Sequence, residues 1–169
     1  MVCLCVFSNT VYTRPSDGAQ VFQPDAPWYL VVGTAIGVLA GAVQFLGLIR
    51  WPFLVTSLAD MYTDPECTQA TRDGVAVVFQ AFHRYAGVAI GEHLGYIFTS
   101  TSTILMCTAI IATDLVNPLF GWLGIVPAIG VLIGVFEETG FKAAGVINAI
   151  SYILWSVWLI AFGIALLLR

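Results

Sequence analysis

The residues with chemical potential are few, and they sit where charge is costly. Glu92 and His93 lie inside residues 85–112, a stretch with no other charged residue. Glu92 follows Arg84 by eight residues, about 12 Å along an α-helix. Gln44 precedes Arg50 by six residues, about 9 Å by the same rise. Asn148, Ser151 and Tyr152 come soon after a polar segment, residues 137–144. Tyr96 shares the Glu92 face at α-helical spacing, in a series running Tyr85, Ala89, Glu92, Tyr96, Thr99, Thr103. Gln44, Glu92, His93, Tyr96, Asn148, Ser151 and Tyr152 are therefore expected in one polar layer, reached from one side. In lipid such groups turn inward and find partners. Two roles fit. One is a hydrogen-bond network that fixes helix register. The other is a cavity that binds a small molecule or relays protons.

Other chemistries find less support. His83 and His93 are ten residues apart, about 15 Å along one helix, too far to share a metal or one haem. A metal held by Glu92, His93 and Glu138 lacks any ligand spacing of the HExxH kind. There is no nucleophile motif, phosphate loop or dinucleotide fingerprint. No catalytic residue, metal ligand or cofactor is assigned. Trp155 and Trp158 fall mid-stretch and are read as packing.

The elements that must position the layer are apolar helices. Of 169 residues 59% are hydrophobic and 9% charged, with Lys+Arg 6, Asp+Glu 10 and net charge −4. That balance excludes a soluble globular domain, a disordered chain and a nucleic-acid binder. It points to the lipid bilayer as partner and the cell membrane as location. Four spans are expected, at residues 28–49, 85–112, 119–136 and 145–168, the third interrupted by Pro127. The whole chain, 1–169, reads as one all-α membrane bundle.

Residues 50–84 form the one long connection. Val55, Leu58, Ala59 and Tyr62 share a helical face there, as do Val75, Val78, Phe79 and Phe82. Asp64-Pro65-Glu66 reads as a helix start. Two short amphipathic helices are expected, lying at the interface or packing on each other as a small cap. The basic residues Arg50, Arg72, Arg84 and Lys142 outnumber Arg14 and Arg169, which favours residues 50–84 and 137–144 as cytoplasmic. The opening MVCLCVF is too short for a signal-peptide core. It reads as a loose terminus or as the tail of a longer hydrophobic segment. Cys3, Cys5, Cys67 and Cys107 suggest no disulfide framework.

Small residues recur at helical spacing: Gly33, Gly37 and Gly41 in the first span, Gly87, Gly91 and Gly95 in the second. Helices associate in lipid through such close backbone contacts. Intramolecular packing is the favoured reading; a homo-oligomer or a larger membrane complex is the alternative.

Residues 50–55 (RWPFLV), 58–103 and 147–168 together resemble a family of bacterial integral-membrane proteins known as a domain of unknown function, DUF4386. HRYAGVAIGEHLGY, residues 83–96, is the most specific part. The resemblance implies a multi-helix membrane protein and supplies no reaction, substrate or catalytic residue. The leading functional expectation is a non-enzymatic small-molecule-binding protein or accessory subunit. The alternatives are a proton-coupled carrier acting as an oligomer and, behind it, an intramembrane enzyme using Glu92 and His93 as acid and base.

Overall fold

The computed structural model describes residues 28–113 and 116–168. The apolar opening, Cys3, Cys5, Arg14 and Arg169 lie outside them. The described residues are helical, without strands. In order they form α1 (Trp28–Leu48), a π-helical stretch (Trp51–Val55), α2 (Thr56–Thr63), α3 (Gln69–Phe82), a second π-helical stretch (His83–Leu94), α4 (Gly95–Ala112), α5 (Leu119–Ile133), a 3-10 segment (Gly134–Thr139) and α6 (Ala144–Leu167).

Among the described residues four helical runs are long and apolar enough to cross a membrane: Trp28–Thr63, Gln69–Ala112, Leu119–Thr139 and Ala144–Leu167. The first has 36 residues and the second 44. At about 1.5 Å per residue both exceed the roughly 30 Å of a hydrocarbon core. The two helices expected in residues 50–84 are present as α2 and α3. They are continuous with the apolar runs through π-helical turns, where the sequence suggested separate elements. α2 packs against α3, with Leu58 and Val75 their buried apolar residues. Val78 and Phe82, expected beside Val75, are exposed.

The α3 cap differs from expectation. Asp64 spends its carboxylate on a local turn, accepting from the Glu66 amide at 2.9 Å. Thr68 caps α3 instead, its hydroxyl accepting from the Thr71 amide at 3.2 Å. An Asx turn and a helix cap compete for the same carboxylate oxygens. Pro127 also behaves otherwise than expected. α5 runs through it without interruption, as membrane helices allow when neighbouring groups accommodate the freed carbonyl.

The chain divides into two compact units. One comprises residues 28–37 and 99–168 of the described chain, the other Val38–Phe98. In the first, α5 and α6 form a hairpin across the turn at Gly140. Gly140 has φ +92°, a left-handed conformation that glycine adopts without steric cost. The buried surface of α5 includes Gly121, Gly124, Ala128 and Gly130, with Gly121 against Ile111 and Cys107 of α4. Gly124 and Gly130 let α6 approach until Ser151 fills the space a Cβ on Gly130 would need and the Trp158 ring crowds Gly124, which Cys107 Sγ of α4 also meets. Cys107, Ile110, Trp158, Phe162 and Leu166 form the apolar core of this unit. Trp158 stacks on Phe162, ring centroids 5.5 Å apart.

Candidate functional site

Within Val38–Phe98 the close crossing is glycine on glycine. A Cβ on Gly47 would stand 2.7 Å from the Gly91 Cα, backbone that cannot yield. One turn away, Gln44 lies over Gly95, its Cγ 3.1 Å and its Nε2 3.4 Å from where a Cβ would be. Gln44 is thus brought to the turn that carries Glu92, His93 and Tyr96, all four half-buried.

The backbone of that turn is unusual. His83–Leu94 is wound as a π-helix over 12 residues, with i→i+5 hydrogen bonds in place of i→i+4. Such turns are rare, mostly appear singly and are frequent at functional sites. The π winding has two consequences. A π turn takes more residues for the same length, so the α-based depth for Glu92 is too great. The face reckoned at α spacing also breaks up. Tyr85 and Ala89 are exposed, whereas Thr99 and Thr103, beyond the π stretch, are buried.

The same unit holds a group that sequence spacing did not single out. Arg50 donates from Nη1 to the Gly47 carbonyl at 2.8 Å. Its Nη2 lies 3.3 Å from His83 Nδ1. A guanidinium only donates, so His83 Nδ1 is the acceptor and its proton sits on Nε2. The guanidinium fills the space where Gly87 would carry a Cβ and lies 5.4 Å from the Trp51 ring centroid. His83 stacks on Phe79, centroids 5.8 Å apart. Arg50 and His83 are far apart in sequence, so no local spacing links them. The available signal was Gly47, three residues before Arg50 and fourteen after Gly33.

The other expected members fall in the other unit. The Asn148 amide donates to the Val131 carbonyl at 2.9 Å. Ser151 lies against Gly130. Tyr152 is half-buried, its ring edge-on to Trp155 at 6.0 Å. Other polar groups of this unit bond across it: Ser102 Oγ donates to the Gly33 carbonyl at 2.8 Å, Trp155 Nε1 to Thr103 Oγ1 at 2.9 Å, and Trp158 Nε1 to the Phe120 carbonyl at 2.8 Å.

The glycines divide likewise. Gly33 is a packing position, a Cβ there standing 3.0 Å from Leu105 Cβ. Gly37 is half-buried. Gly41 is exposed and has nothing within 4 Å of a Cβ among the described residues. In α1 the buried small residues are Gly33, Ala40 and Gly47, seven apart. Each four-residue step overshoots a full turn by about 40°, while each seven-residue step falls about 20° short of two turns. A strict four-residue series therefore walks off the seam by Gly41. Gly87, Gly91 and Gly95 all lie at contacts, with Arg50, Gly47 and Gln44 respectively.

Among the described residues no three His, Cys, Asp or Glu side chains converge as a metal site requires. Comparison with curated proteins finds no match, and comparison with solved structures finds none either. Residues 19–163 match one protein family, described as Domain of unknown function (DUF4386). With four helices among the described residues long and apolar enough to span a bilayer and a family match over most of its length, the chain is a membrane protein that belongs to the DUF4386 family.

Proposed function

We propose that this protein is a non-enzymatic, multi-pass cell-membrane protein that binds a small molecule at the turn carrying Glu92 and His93, alone or as an accessory subunit. The observation that supports this most is the π winding of His83–Leu94. It coincides with the two ionisable side chains of that stretch and with the glycine crossing that lays Gln44 over Gly95, one turn beyond. A π turn costs backbone hydrogen-bond quality and is retained where it re-aims side chains. Intramembrane carboxylates and imidazoles are in turn rare and functional by default. Gln44, Glu92, His93 and Tyr96 are the proposed binding groups. Asn148 and Ser151 serve helix packing.

Residues 50–84 and 137–144 are proposed to face the cytoplasm, from the four basic residues they carry. Cys67, half-exposed in the first of these segments, should react with an impermeant thiol reagent in inverted vesicles and resist it in intact cells. Reaction in intact cells reverses the orientation.

The binding proposal is tested by purifying the protein from its membrane in mild detergent and identifying the retained small molecules by mass spectrometry. The wild type should retain one that Glu92→Gln loses by about tenfold, a difference of ~1.4 kcal/mol, with helix content unchanged. An identical complement in both excludes the proposed site.

A further inference from the structure

We propose that Arg50 forms a phosphate-binding site at the end of the first apolar stretch, occupied by the phosphodiester of an anionic membrane phospholipid. Residues 28–49 carry no charge, and Arg50 is the first cation after them. That places its guanidinium where headgroups begin. Trp51 and Phe53, beside Arg50 in sequence, and Tyr85, two residues after His83, are exposed, at 47%, 73% and 68%, as aromatic side chains at a lipid interface are.

The guanidinium is held by the Gly47 carbonyl and a histidine ring nitrogen, neither of them an anion. Its Nε–H is buried with no acceptor. A buried donor of a charged group without a partner calls for an acceptor. Of five N–H bonds, the contacts above use two, one on each terminal nitrogen, leaving one on each and the Nε–H. A planar fork with free N–H bonds suits phosphate, which it binds by paired, charge-assisted hydrogen bonds. The fork is fixed from three sides. Gly87 leaves room for it by having no side chain, Trp51 lies against it, and His83, itself stacked on Phe79, holds Nη2. No carboxylate is needed in such a site, since the lipid supplies the negative charge. The argument rests on Arg50 and His83 and not on the reading proposed for Glu92, although both use the crossing of Gly47 with His83–Leu94.

The test uses full-length protein in nanodiscs of phosphatidylcholine, alone or mixed with phosphatidylglycerol. Native mass spectrometry counts the phosphatidylglycerol retained. NMR of 15N-histidine-labelled protein reads His83, identified by its loss in His83→Gln. The wild type should retain phosphatidylglycerol in preference to phosphatidylcholine. Arg50→Gln and Gly87→Ala should each reduce that preference by about tenfold, one by removing the charge and the other by displacing it. Lys142→Gln, which removes an equal charge elsewhere, should leave it unchanged. Phosphatidylglycerol should also shift the wild-type His83 signal, a readout that does not depend on any variant folding. A shift caused by inorganic phosphate in pure phosphatidylcholine discs keeps the anion site and assigns it to free phosphate. No shift with either anion, or an equal loss in Lys142→Gln and Arg50→Gln, overturns the proposal.

Discussion

In the unit of residues 28–37 and 99–168, nearly every polar side chain with a described bond reaches a backbone carbonyl or another hydroxyl. Asn148 donates to Val131, Trp158 to Phe120 and Ser102 to Gly33. The helices are regular through most of their length, and the glycines of α5 are filled by side chains of α6 and α4. In Val38–Phe98 ionisable side chains stand along the helix crossing beside Gln44: Arg50, His83, Glu92 and His93. The backbone there is π-wound over His83–Leu94, and glycine meets glycine. Small residues serve both units, so a small-residue pattern does not tell scaffold from site. What separates them is what the polar groups are and how the backbone beneath them is wound.

The largest expected effects come from filling the glycine contacts. Gly124→Val drives a side chain into the Trp158 ring and Cys107, and Gly130→Val does the same at Ser151. Each should destabilise the protein by about 1–3 kcal/mol, the usual cost of overpacking, read as a fall in thermal midpoint in detergent. Gly47→Val should cost as much, because the obstacle is the Gly91 backbone. A neutral Gly47→Val would remove the crossing that places Gln44.

A smaller effect separates scaffold polar groups from site polar groups. Asn148→Leu and Trp158→Phe each delete one interhelical hydrogen bond, worth about 0.6 kcal/mol on average and up to about 1.7 in membrane helices. Both should lower stability and leave small-molecule retention intact. Glu92→Gln should do the reverse, with stability within about 0.5 kcal/mol of the wild type and retention lost. If Asn148→Leu also abolishes retention, the binding layer extends into the scaffold unit. Smallest of all is Gly41→Ala, which meets open space. It should change stability by less than about 0.5 kcal/mol. A larger loss would mean that Gly41 faces another chain.

The four apolar runs were legible because hydropathy over some twenty residues needs no knowledge of the fold. So were the helices of residues 56–82, whose apolar spacing is local, and the contact role of Gly87, Gly91 and Gly95. Other features were hidden for specific reasons. Asp64 and Thr68 both resemble caps, and only the backbone decides which oxygen meets a helix amide. Pro127 breaks a helix in water more readily than within a bundle. Gly41 and Gly47 differ by their angle on a helix, which the four-residue motif obscures. The π stretch is the deepest omission. Its hydrogen bonds join backbone groups that carry no side-chain signature, so Tyr85 and Ala89 were set on a face they do not share with Thr99 and Thr103. The Arg50–His83 contact joins residues distant in sequence, and residue spacing does not encode it.

The central claim is that Val38–Phe98 holds a ligand at its π-wound turn while the other unit is scaffold. Amide hydrogen exchange tests it most directly, comparing protein as purified with protein stripped of retained small molecules. Stripping should speed exchange in His83–Leu94, by releasing what braces its weaker i→i+5 bonds, and leave Leu119–Ile133 and Ala144–Leu167 unchanged. Equal change in all three segments, or none in His83–Leu94, contradicts it.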